Sequence, residues 1–121
     1  MNIQHDFSAD ERQRYARQLN LPGFGEEAQK RLAAGSVLVI GAGGLGAPVS
    51  TYLTGAGVGH IGIADPDTVS LSNLQRQTLY SESQVGEPKT ACAIKRLSAL
   101  SGVPRFTPHP EGITPSNAIG L

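Results

Sequence analysis

The chain has one cysteine, Cys92, among its 121 residues. That excludes an internal disulfide and any cysteine-rich zinc site built from this chain alone. It also lacks a surplus of charge: ten Lys and Arg balance ten Asp and Glu, so no basic face advertises nucleic acid and no acidic tail suggests a chaperone-like partner. No apolar run approaches the ~20 residues that a bilayer-crossing helix needs, which speaks against a membrane role. The opening MNIQHDFSADER has no apolar segment of the kind found in a secretory signal. A cytoplasmic location is therefore expected. Internal repeats and low-complexity tracts are also missing, and the length supports one small domain.

What the chain does have is SVLVIGAGGLGAPVSTYLTGAG, Ser36 to Gly57. Ser36 to Ile40 is a short β-branched run without alternation, which suits a central parallel strand covered on both faces. Gly41, Gly43 and Gly46 then make the pattern GxGxxG. Such a turn leaves backbone N–H groups uncovered at a helix N-terminus, where phosphate can approach. After it, Leu45, Val49, Tyr52, Leu53 and Ala56 recur at helical spacing and predict one stripe packed on the sheet. Pro48 falls in the first turn, where it removes no intrahelical bond, and Gly55 and Gly57 end the helix.

On the N-terminal side, residues 1–7 carry no pattern and read as a loose arm. Ser8 and Glu11 have capping-box spacing and open a helix that Asn20-Leu21-Pro22-Gly23 would stop. Its Arg12, Arg14 and Arg17 are, by spacing alone, a solvated face. A second helix runs roughly from Glu26 to Ala34 and ends at Gly35. On the C-terminal side, His60 to Ala64 reads as a strand. Asp65 to Gly86 is a long polar loop with at most a short helical turn, a kind of connection that tends to be functional. A helix from about Pro88 presents Ala91, Ile94, Leu97 and Leu100 to the sheet. Val103 to Thr107 reads as a third strand, and Thr114-Pro115 as an N-cap with a first-turn proline. Cys92, set among Ala91, Ala93 and Ile94, reads as a small buried thiol.

The order β-α-β, loop, α-β places this chain in the α/β class, as a Rossmann-like nucleotide-binding fold with a mostly parallel sheet. About half of a doubly wound domain is present, preceded by N-terminal helices. The division expected is a helical arm over residues 1–35 and a β-α-β core over residues 36–121. Asp65 follows Gly46 by about 20 residues, at the end of the second strand, where such folds hold a carboxylate for a ribose. Strand, glycine turn, helix, strand and acid together point to an adenine nucleotide. NAD is the usual occupant, but Gly44 opens one more side of the turn to phosphate, and the loop adds Asp67, Asn73, Gln75 and Arg76, with Lys89 just beyond. A triphosphate about to lose pyrophosphate needs such cations; a nicotinamide needs fewer.

RYARQ (Arg14 to Gln18), GAGGLG, DPDTVSLSNLQRQ (Asp65 to Gln77) and VGEPK (Val85 to Lys89) occur here in the order they have in the ThiF/MoeB/HesA adenylyltransferases. The chain resembles this family, related to the ubiquitin-activating enzymes, from about Asp10 to Leu121. The resemblance implies ATP-dependent adenylation of the C-terminal glycine carboxylate of a ubiquitin-like sulfur-carrier protein of the ThiS or MoaD type, as in thiamine or molybdopterin biosynthesis. Gly41, Gly43, Gly44 and Gly46 would cradle the phosphates and Asp65 the ribose. Ser72, Asn73, Leu74, Gln75 and Arg76 would line the nucleotide. Arg76 and Lys89 would counter charge as pyrophosphate leaves, and Asp67 would aid magnesium or orient the loop. Arg17 matches an arginine that reaches into the partner's site across a homodimer.

The resemblance covers only the first half of the family's catalytic domain. The main Mg2+-holding Asp, the two C-x-x-C zinc pairs and the acceptor cysteine of relatives lie in later segments, so this chain supplies neither that magnesium ligand nor zinc ligands. On this reading it is the nucleotide-binding half, inactive alone, with an exposed sheet edge that makes it marginal or prone to associate. Two alternatives remain: a non-catalytic nucleotide-binding or dimerisation module acting through the Arg17 helix, and a fragment of an NAD-binding oxidoreductase, which calorimetry with NADH and ATP separates.

Overall fold

Three parallel strands, β1 (Ser36–Ile40), β2 (His60–Ala64) and β3 (Arg105–His109), form the sheet in that order in the computed structural model, which describes residues 6–121. Ser36 pairs with His60 and His60 with Arg105, and the register runs unbroken to Ile40, Ala64 and His109. Helices α4 (Gly46–Ala56) and α5 (Lys89–Leu100) make the two crossovers and pack against each other. Val39, Ile61 and Ile63 meet Ala47, Ala93 and Leu97 in the core between them. The α/β class and parallel Rossmann-like sheet are thus as the sequence pattern requires.

Three helices precede the sheet: α1 (Ala9–Arg14), α2 (Ala16–Leu19) and α3 (Gly25–Ala34). The capping box forms, with the Glu11 amide donating to Ser8 Oγ at 3.1 Å and the Ser8 amide donating to Glu11 Oε1 at 3.2 Å. The single helix expected from Ser8 onward is instead broken at Tyr15 (φ −100°, ψ 13°). Neither short helix buries a residue of its own, whereas Tyr15 between them is 1% exposed. Its ring lies against Gly57, where a Cβ would come within 2.8 Å of Tyr15 Cζ. Of the expected loose arm, residues 1–5 lie outside the described residues; Phe7 is buried.

Two glycines let this helical segment dock. Gly57 ends α4 at φ +96°, and a Cβ on Gly59 would sit 1.8 Å from the Ala33 carbonyl oxygen. Gln29, fully buried, donates to the Ala56 carbonyl at 2.8 Å and accepts from Gln18 Nε2 at 2.9 Å. Replacing Gln29 with Ala removes both bonds from a dry site, so a loss of roughly 1–3 kcal/mol is expected in urea denaturation.

Several expectations about faces are corrected. On α4, Leu45 (85% exposed), Val49 and Tyr52 (77%) point outward, and the buried residues are Ala47, Ser50 and Thr54. At its first residue the helix lies close to the strand end, where a Cβ on Gly46 would lie 1.8 Å from the Gly41 carbonyl oxygen, and further along Leu53 packs partly on the core as expected. On α5 the expected face holds in its middle and fails at its ends: Leu97 is buried and Ile94 packs partly on the core, while Ala91 and Leu100 are exposed and Lys89, Thr90, Cys92 and Ala93 are buried instead. The third strand begins two positions later than expected, its start fixed by the Arg105 amide donating to the Gly59 carbonyl at 2.9 Å. Finally, β1 is an edge strand rather than a central one; Ile40 is 59% exposed, while β2 is buried along nearly its whole length.

Candidate functional site

The glycine turn lies where β1 meets α4, beside the end of β2. Gly41 adopts φ +95°, and its amide donates to the Ala64 carbonyl at 2.8 Å, tying the turn to the neighbouring strand. Gly46 must lack a Cβ to pass the Gly41 carbonyl, and a Cβ on Gly43 would press to 3.2 Å from Gln77 Nε2. Gly44 differs from both: among the described residues nothing lies within 4 Å of where its Cβ would be, and the residue is exposed. Its open side therefore has no packing explanation within the chain. No side chain caps α4 at Leu45. Among the described residues, the N–H groups of Gly43 and Gly44 donate to no group of the chain. A turn of this form presents free donors and the positive end of a helix dipole to an anion.

Asp65 binds the turn from behind. Its Oδ2 accepts from the Ala42 amide and its Oδ1 from the Asp67 amide, both at 2.8 Å, and the residue is 7% exposed. Each carboxylate oxygen keeps a second lone pair for a further donor. Tyr80, which sequence reasoning missed, completes this wall: its hydroxyl donates to the Ala42 carbonyl at 2.5 Å. Burial, with a smaller contribution from the Asp65 carboxylate, pushes the phenol well above its ordinary range, so it stays a donor. Gln77, the last residue of SNLQRQ, was also not singled out. It is 4% exposed, lies beside Gly43, and among the described residues its Oε1 has no hydrogen-bond partner. The motif could have pointed to Gln77, whereas no sequence signal marked Tyr80.

The long loop is held at its two ends and contains two short 3-10 turns, Leu71–Asn73 and Glu82–Gln84. Val69, buried, donates to the Glu87 carbonyl and accepts from the Gly86 amide, each at 2.8 Å, next to an antiparallel bridge between Thr68 and Pro88. This pairing sets Lys89 beside Asp67: the Lys89 amide donates to the Asp67 carbonyl at 3.0 Å, and Nζ lies 3.9 Å from Asp67 Oδ2. The lysine side chain is only 6% exposed, whereas that of Asp67 is 71% exposed. Between the two ends, Asn73 accepts from Ser70 Oγ at 2.9 Å, Leu74 packs partly on the core, and Ser72, Gln75 and Arg76 are exposed. Arg76 Nη1 donates back to the Ser72 carbonyl at 3.2 Å, a surface contact that a ligand can displace at little cost.

The structure therefore brings together the glycine turn, Asp65, Asp67 and Lys89, with Ser72 to Arg76 on the adjoining loop. Arg17 is not brought to them. It is exposed on α2, which is tied through Gln18 to Ala56, the far end of α4 from the turn. Cys92 is buried as its neighbours suggested, 3.5 Å from Glu87 Oε2, with burial first and that hydrogen bond second raising its thiol pKa. Among the described residues no group of three or more His, Cys, Asp and Glu is placed to hold a metal ion, and no helix is long and apolar enough to cross a membrane.

Comparison with known proteins places these residues in context. The ThiF family profile matches residues 15–121. A sulfur carrier protein adenylyltransferase of Thermus thermophilus is 49% identical over 115 residues, covering 95% of this chain and 42% of the relative. The adenylyltransferase and sulfurtransferase MOCS3 of Sus scrofa is 45% identical over 94% of this chain and 25% of its own length. The chain thus spans less than half the length of these curated relatives. Among solved structures, the E. coli tRNA N6-threonylcarbamoyladenosine dehydratase TcdA in complex with ATP superposes with a TM-score of 0.85 at 29% identity, over 93% of this chain and 46% of that one. E. coli MccB with ATP superposes at 0.73 and 30% identity, over 77% and 28%.

Proposed function

Because the chain belongs to the ThiF family, we propose that it forms the nucleotide-binding part of an adenylation site for the C-terminal glycine carboxylate of a ubiquitin-like sulfur-carrier protein. The observation that carries this reading is the turn itself, where, among the described residues, nothing lies against the open side of Gly44 and the N–H groups of Gly43 and Gly44 have no acceptor at an uncapped helix N-terminus. The ATP held by two of the superposing structures and the names of the curated relatives support the ligand and the reaction class.

In this reaction the carrier carboxylate oxygen forms a bond to the α-phosphorus of ATP, the bond from that phosphorus to the β-bridging oxygen breaks, and pyrophosphate leaves with the electron pair. A carboxylate is already deprotonated, so positioning and charge neutralisation do the catalytic task without a general base. The turn would hold phosphate oxygens and Asp65 the ribose, through its remaining lone pairs. Arg76 would swing from the Ser72 carbonyl onto the polyphosphate, and Lys89 would turn from Asp67 toward the same oxygens. Ser72, Asn73, Leu74 and Gln75 would border the nucleotide. In this reading residues 36–121 are the nucleotide core and residues 1–35 an arm that offers Arg17 to the site of a second copy. Asp65 is engaged by two backbone amides and Asp67 faces Lys89, so these residues do not make a magnesium site by themselves and no step is assigned to one. A cytoplasmic setting and a place in thiamine or molybdopterin sulfur transfer belong to the same proposal.

Calorimetry with ATP, AMP and NADH, followed by carrier-dependent exchange of labelled pyrophosphate into ATP, tests the reading. The chain alone is expected to bind ATP in preference to NADH and to show little exchange. A preference for NADH would overturn the nucleotide assignment. Rapid exchange by the chain alone would overturn the claim that it carries only part of the site.

A further inference from the structure

We propose that the Tyr80 hydroxyl is a positioning group that sets which way the Ala42–Gly43 peptide faces, and so aims the Gly43 N–H out of the turn. In a planar trans peptide the carbonyl and the following N–H point in opposite directions. The Ala42 carbonyl is held inward by Tyr80 Oη, both residues being buried at 1% and 8% exposure respectively. The Gly43 N–H therefore faces away from that buried wall, and among the described residues it has no acceptor in the chain. The preceding peptide is fixed as well, since the Ala42 N–H donates to Asp65 Oδ2 at 2.8 Å. Ala42 is thus clamped on both sides, by a carboxylate that accepts and a phenol that donates. Removing the phenol frees one of the two planes.

The clamp also joins the turn to the long loop. Tyr80 lies between the two 3-10 turns of that loop, and Gln77, three residues earlier, touches Gly43 from the same wall. Displacing this loop segment would release the Ala42 carbonyl and let the peptide rotate. Loop order and phosphate-site order are therefore one property. The inference deepens the nucleotide reading above and rests on it for its functional consequence, but the peptide orientation is a property of the chain without ligand.

Residual dipolar couplings of the Gly43 and Gly44 amides test the proposal in the ligand-free chain. In the wild type the Gly43 N–H vector is expected to lie opposite the Ala42-to-Tyr80 hydrogen bond. In Tyr80→Phe, which keeps the ring and removes only the hydroxyl, the Gly43 coupling is expected to change or shrink by averaging. ATP affinity is expected to fall roughly threefold to tenfold, in keeping with one net hydrogen bond. Gln29→Ala serves as the control: it weakens the fold far from the turn and is expected to leave the Gly43 coupling and ATP affinity unchanged. A wild-type vector in another direction, or an unchanged coupling in Tyr80→Phe, overturns the proposal whether or not nucleotide binds. A chain that shows the expected couplings but binds no ATP refutes the nucleotide reading alone.

Discussion

Gly46→Ala is expected to cost more than about 3 kcal/mol of stability, above the usual range for overpacking a core. The added carbon would sit 1.8 Å from the Gly41 carbonyl oxygen and 2.6 Å from its carbonyl carbon, both backbone atoms. Gly41 cannot retreat easily, because its amide is bonded to the Ala64 carbonyl at 2.8 Å. For a domain with a total stability of about 5–15 kcal/mol, such a loss leaves much of the chain unfolded. Gly44→Ala is expected to behave in the opposite manner. Its Cβ meets no atom within 4 Å, so the thermal midpoint should hardly move, while ATP binding drops roughly tenfold or more as the methyl occupies the phosphate side. Thermal unfolding and calorimetry on the two variants check the contrast. Equal stability losses at both positions would mean that Gly44, too, is there for packing.

The second large effect concerns the cations. Arg76→Ala is expected to weaken ATP binding by roughly tenfold to a hundredfold, the range of one charge-assisted hydrogen bond, and AMP binding much less. Because Arg76 is exposed and its guanidinium donates to the exposed Ser72 carbonyl at 3.2 Å, its removal should leave the fold intact. Lys89 calls for a different substitution, since its side chain is 6% exposed and alanine would leave a cavity. Lys89→Met keeps the stem and removes the charge, and the same selective loss for ATP is expected. Competitive calorimetry with ATP and AMP reads both. Equal losses for the two nucleotides would place these residues in folding or in ribose contacts rather than at the β- and γ-phosphates.

Much of the fold was legible in short windows of sequence. The runs Ser36 to Ile40 and His60 to Ala64 form strands with those same bounds, because a β-branched run closed by glycine or by an acid leaves little choice of conformation. The Ser8 and Glu11 capping box formed for the same local reason. The helical faces were legible only in part: Leu53, Ile94 and Leu97 pack on the core as their spacing implies. On α4 Leu45, Val49 and Tyr52 face outward, and the residues buried there are the small Ala47, Ser50 and Thr54. Periodicity locates an apolar stripe, but tertiary packing decides how much of it is inside.

The candidate site divides in the same way. The glycines and Asp65 could be named from spacing because each reflects a local backbone requirement, whereas Ser72 to Arg76 were named through the resemblance of the contiguous SNLQRQ motif to the family. Lys89 could be named too, yet its burial beside Asp67 depends on the pairing of Val69 with Gly86 and Glu87 across the long loop. Tyr80 was invisible, because the hydrogen bond of its hydroxyl reaches back 38 residues to Ala42.

The sequence by itself determined that a strand, a glycine-rich turn and a helix would follow one another with an acid near the turn. Only the tertiary structure decided how that backbone is held: by Asp65 on one side of Ala42 and Tyr80 on the other, with Gly44 left open. The reason is physical. Backbone conformation at a glycine is restricted by its immediate neighbours, but the direction in which a peptide group faces is fixed by whatever distant donor and acceptor the fold brings to it.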